Sequence, residues 1–122
     1  MDIIISNASG KPIYEQVEDQ IKSAIINGEL VEGEQLPSIR ALANSLRVSA
    51  ITTKRVYADL ERDGFIETVQ GKGSYVAGSN TELIREERMR EVEAILARAV
   101  ERGRGIGLSD GELREMFDLI LE

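Results

Sequence analysis

From Leu36 to Tyr57 the chain carries Arg40, Arg47, Lys54 and Arg55 and no acidic residue, although the 122-residue protein has a net charge of −7. Within that window Ser49, Ala50, Ile51 and Thr52 follow one another, with Lys54 and Arg55 just behind them. Hydroxyls can bond phosphate oxygens or base edges, and small side chains allow close approach to a duplex. An exposed isoleucine can meet a thymine methyl, and cations neutralise phosphates. Ser38 and Arg40 stand upstream, the arginine suited to a phosphate or a guanine. A second group, Gln70-Gly71-Lys72-Gly73, joins backbone freedom to an amide and a cation, which suits a minor groove. Each residue also has a plainer reading: Ser38 and Ser49 as helix caps, the cations as solvated side chains, the glycines as an ordinary turn. Their joint, acid-free placement favours nucleic acid.

Charge along the chain agrees. Residues 36–76 carry six Lys/Arg against four Asp/Glu, a net of +2, whereas residues 79–122 carry seven against eleven, a net of −4. Screening confines electrostatics to about 8–10 Å at physiological salt, so this local balance matters more than the total.

Other chemistries fare poorly. Histidine and cysteine are both absent, which removes the commonest general base, thiolate catalysis, disulfides and the usual zinc ligands. Carboxylates alone could hold magnesium or act as an acid–base pair, but the 22 acidic residues read better as solvated helix exteriors. GKGS lacks the spacing of a phosphate loop and lies between strand-like runs; GRGIG follows a helix, so it is no dinucleotide fingerprint. No catalytic residue, metal or cofactor is expected. No apolar run approaches a membrane span, and MDIIIS lacks the basic flank of a signal peptide, so a cytoplasmic protein is expected.

The elements that must position these residues can be read from periodicity. DIII is a brief strand or an extended arm. Ile13, Val17, Ile21 and Ile25, with Tyr14 and Ala24, form one apolar stripe that predicts a helix from Pro12 to Asn27. Ser38 caps a short helix facing inward through Ile39, Leu42, Ala43 and Leu46. Ser49 caps another, buried through Thr53, Val56, Tyr57 and Leu60 and ended by Gly64; Thr53 therefore belongs to the core. FIETV and SYVAG are strands joined by QGKG. Two short helices meeting across Arg47-Val48, then a glycine-tipped hairpin, make a winged helix-turn-helix. The fold class is mainly α with a small β wing, and the winged domain spans residues 1–78.

Composition shifts at Gly78-Ser79-Asn80. Residues 79–122 form a tail of two amphipathic helices, the second opened by the capping box SDGE. Its apolar positions are Leu83, Met89, Val92, Ile95, Leu96, Val100, Leu113, Met116, Phe117 and Ile120. Two such helices cannot bury both stripes alone, so the tail is expected to form a homodimer; the rival is a monomer folded back on the first helix.

The stretch GELVEGEQLPSIRALANSLRVSAITTKRVYADLERDGFIETVQGKGSYV closely resembles the DNA-binding domain of the GntR family of bacterial transcription regulators. The resemblance spans about Ile13 to Ala77 and rests on G-x-L-x-x-G, LPS-x-R-x-LA, L-x-VS, LE-x-x-G and the wing's G-x-G-x-x-V. It implies DNA contacts at Arg40, at Ser49 and Thr52, and at Gln70 and Gly71 of the wing. Ala50 stands where many members have arginine, which implies a different operator, and Glu32 replaces a proline in the preceding turn. PIYEQ, ITTKRVYADLE and the short tail are similar to the YtrA-type subgroup. The resemblance implies a dimeric repressor of its own operon, often one encoding an ABC transporter, acting on a palindromic operator in double-stranded DNA. Nothing in the sequence identifies a small-molecule effector. The alternative is a winged-helix protein-interaction module without specific DNA binding.

Overall fold

Proline at position 12 sets the first helix, α1 (Ile13–Ile26), whose residues Val17, Ile21, Ala24 and Ile25 are buried. The computed structural model describes residues 1–78 and 81–122; Ser79 and Asn80, where the sequence places the domain junction, lie outside the described residues. The DIII segment is an extended arm rather than a strand. Gln16 and Gln20 of α1 hold it through paired bonds to the backbone of Ser6 and Ile4, while Ile3 and Ile5 lean on the core.

Helix α2 (Ile39–Leu46) starts at Ser38, whose hydroxyl accepts the Ala41 N–H at 3.0 Å. Helix α3 (Ala50–Arg62) starts at Ser49 in the same way. Between them Arg47 takes φ of 57°, the one left-handed non-glycine backbone among the described residues. Val48 N–H returns to Ala43 O and Arg47 N–H to Asn44 O, so α2 closes with a Schellman motif. Gly64 occupies the same place after α3. An L-residue there carries about 1–2 kcal/mol of steric cost that glycine escapes.

Strands β1 (Ile66–Val69) and β2 (Gly73–Val76) pair antiparallel, Ile66 opposite Val76 and Val69 opposite Gly73. The tip is thus Gln70–Lys72, and Gly73, expected at the tip, is the first residue of the returning strand. Helix α3 packs against α1, α2 and β1, burying Val56, Tyr57 and Leu60 with Val17, Ile21, Phe65 and Ile66. Each of these side chains contributes roughly 1.5–3 kcal/mol. Ile13, the outermost residue of the α1 stripe, stays exposed.

Two further helices follow, α4 (Thr81–Gly105) and α5 (Asp110–Leu121), the latter opened by the expected Ser109–Glu112 capping box. The chain divides into two units, Met1–Ile84 and Arg85–Glu122. Ile84 packs on the first unit's core, so the start of α4 belongs to the winged unit, and the exposed Leu83 with it. Within the second unit a Cβ at Gly103 would stand 2.5 Å from Leu113 Cδ2; glycine lets α5 close on α4 at that corner. No helix among the described residues is long and apolar enough to cross a membrane.

Candidate nucleic-acid interface

The first turn of α3 is built to leave its polar end available. Ser49 Oγ accepts the Thr52 N–H at 3.0 Å and donates its own hydrogen to Thr52 Oγ1 at 2.8 Å. Thr52 therefore keeps its hydroxyl hydrogen free for an outside acceptor. Ala50 is exposed, and Ile51 is 82% exposed, an apolar side chain held in water at the end of a helix whose free N–H groups favour anions. Thr53 points inward, as its periodicity predicts, and donates to Ser49 O.

The cations of the window divide into two sets. Arg40, Lys54 and Lys72 are exposed, and among the described residues they have no acidic partner; the same is true of Arg47. Arg55 behaves differently. Its guanidinium lies 3.6 Å from the centre of the Tyr14 ring and 3.7 Å from Asp59, so it braces α3 against α1. The structure groups Lys54 with the free cations and leaves Arg55 out.

The α1–α3 seam beside Arg55 holds more charge. Lys22 pairs with Asp63 at 3.0 Å and lies over the Phe65 ring, and Arg62 pairs with both Asp59 and Asp63. Glu18 is buried there and faces Asp59, and among the described residues its Oε1 has no hydrogen-bond partner. Burial, and then the adjacent Asp59 carboxylate, push the Glu18 carboxyl up to about 7. The hydrogen bond from Glu18 holds Asp59 below its ordinary value.

The wing is fastened from outside its own sequence. Segment 33–36 runs along β2, with Leu36 N–H on Ser74 O and Val76 N–H on Glu34 O. From it Gln35 Nε2 donates to Lys72 O at 2.9 Å, and Tyr75 Oη reaches the same carbonyl. A Cβ at Gly73 would stand 2.8 Å from Gln35 Nε2, so glycine there makes room for this strut. At the tip Lys72 N–H bonds Val69 O, and Gly71, at φ of 80°, takes the left-handed position of the turn. Gln70, Gly71 and Lys72 are all exposed. Tyr57 Oη, buried until its hydroxyl is pushed up to about 12, donates to Pro37 O at 2.6 Å and ties the lead-in of α2 to α3. Sequence reasoning missed Gln35, Glu18 and the free Arg47. Gln35 carries no local signal, because its partner lies 37 residues away.

A capped α3 start, an unpaired arginine on α2 and a strutted glycine turn are the parts of a winged helix-turn-helix, and residues 13–76 match the profile of the bacterial regulatory proteins of the gntR family. The chain belongs to the GntR family. Among its relatives, the uncharacterized HTH-type transcriptional regulator YhcF of Bacillus subtilis is 35% identical over 107 residues, 88% of each chain. The HTH-type transcriptional repressor YtrA of the same organism is 40% identical over 75 residues, 62% of this chain and 58% of that protein. The AraR DNA-binding domain, solved in complex with operator ORX1, superposes with a TM-score of 0.56 at 28% identity, covering 63% of this chain and 96% of that one. GntR membership makes this a DNA-binding transcription regulator and not an enzyme.

Proposed function

We propose that this GntR protein is a cytoplasmic, homodimeric repressor that blocks transcription of its own operon by occupying a palindromic operator. What carries the reading is the set of exposed, acid-free cations around the α3 start, Arg40 and Lys54 with Lys72 on the wing, beside an isoleucine held in water. In this reading α3 enters the major groove. Thr52 and Ile51 touch base edges there, Ser38, Ser49 and Ala50 allow close approach, and Gln70, Gly71 and Lys72 follow the minor groove, with Gly73 supporting the turn.

The second unit supports the pairing of two copies. Met89, Val92, Leu96 and Ala99 are spaced three, four and three residues apart, the seam spacing of helices that wind together, and the first three are exposed. Ile95, Val100, Met116, Phe117 and Ile120 are exposed as well. A two-fold dimer presents two α3 helices and calls for half-sites about one helical turn, ~34 Å, apart.

Titrating the protein with a duplex from its own upstream region, by fluorescence anisotropy at several salt concentrations, tests this. Three phosphate contacts per protomer give a log–log slope of about −5 or steeper. Arg40→Ala should weaken binding to all sequences about 5-fold. Thr52→Ala should cost about 1 kcal/mol on the operator and little on random DNA. A slope near zero would instead favour a protein-interaction module.

A further inference from the structure

Arg47 sits in the turn of the helix-turn-helix with its backbone in the left-handed region, at φ of 57°. Equivalent closures in this chain, after α3 and after α4, use Gly64 and Gly107, which adopt that conformation freely. Arginine brings a Cβ that makes the position costly. Its side chain returns nothing to the folded chain: it is exposed, with no ion pair, ring or hydrogen bond among the described residues. A strained residue whose side chain has no partner within the protein has its compensation elsewhere.

The place of Arg47 says where. It lies two residues before Ser49, the cap of α3, so at most about 7 Å of backbone separates it from the helix end that faces DNA. A guanidinium is always charged, and its fork of donors fits two phosphate oxygens at once. We infer that Arg47 is a DNA-binding residue, clamping a backbone phosphate beside the site where α3 enters the groove. The inference rests on the operator reading above and extends it by a contact absent from the resemblance-derived set. Because a phosphate contact positions without reading sequence, Arg47 acts on all duplexes alike.

The test is Arg47→Gly in the full chain, with Arg47→Asn as a second uncharged residue tolerant of this backbone and Arg47→Lys as the charge-retaining variant. Thermal unfolding should show the glycine variant at least as stable as wild type. Its operator affinity at 0.15 M salt should nonetheless fall about 5–10-fold, with a parallel loss on random DNA. One phosphate per protomer makes eight contacts in the dimer, so wild type should show a slope near −7 and both uncharged variants near −5. Arg47→Lys should keep most of the slope. A merely structural arginine would shift stability and leave the slope alone. Uncharged variants matching wild type in affinity and slope overturn this assignment while the operator reading stands; wild type with no salt-dependent operator binding defeats that reading itself.

Discussion

Ending the chain after Ile84 should yield a folded monomer that binds the operator 10²–10⁴-fold more weakly than the full-length protein. The first unit keeps its core, including the Ile84 contact, so folding of the winged domain survives the cut. What disappears is linkage. Two winged domains held together turn the second half-site into an intramolecular event at an effective concentration in the millimolar range, and separate domains lose that advantage. The second unit cannot satisfy itself: no residue of α5 is buried. A groove of about 740 Å³ opens between α4 and α5, walled by Leu96, Val100, Met116, Phe117 and Ile120. An exposed apolar surface of this kind marks an interaction site. Phe117→Asp in the full chain makes the same point with one residue, since a carboxylate cannot be buried there unpaired. Sedimentation should report a monomer for both variants and a dimer for wild type. A truncated chain that still dimerises would refute the assignment of the tail.

The winged half was legible because its signals are local. The spacing of Val17, Ile21 and Ile25, the serine caps at Ser38 and Ser49 and the glycine stop at Gly64 each act within one or two turns of helix. Of the candidate site, what was legible is exposure and charge, as at Arg40 and Lys72. Tertiary pairing was not. Arg55 reads as a free cation until Tyr14, 41 residues earlier in the chain, is seen stacked beneath it. Gln35 reads as turn filler until the wing folds back against it. In the tail, periodicity marked the apolar stripes but could not tell Leu113, partly buried at the Gly103 corner, from Phe117, which remains open. Both lie on the same stripe of one helix. Only the approach of α4 distinguishes them.

The α1–α3 seam leads to the second large effect. Replacing Glu18 with glutamine should stabilise the protein at pH 8 by about 1–2 kcal/mol and leave it nearly unchanged at pH 5. In the native protein the Glu18 carboxyl titrates at about 7, and in the unfolded chain it returns to 4.5. Between those values the native state holds a proton that the unfolded chain has released. Stability therefore falls as pH rises through the interval, and the loss is complete above it. Asp59 works in the opposite sense: held low, it adds stability above its ordinary value and loses it only in acid. The full Glu18 displacement corresponds to about 3 kcal/mol, and solvent near the seam reduces the expected effect to roughly half. Lys22 and Arg55 also face Glu18 and favour its charged form, a pull already contained in the value of about 7, while Arg62 and Asp63 face Asp59. Glutamine keeps the shape and offers Asp59 a donor that never ionises. Urea unfolding of both proteins between pH 5 and 8 should show wild-type stability declining towards pH 8 more steeply than that of the variant. Parallel curves would mean that Glu18 ionises without penalty. The seam matters for function because it seats α3, the helix proposed to enter DNA, on the rest of the winged domain.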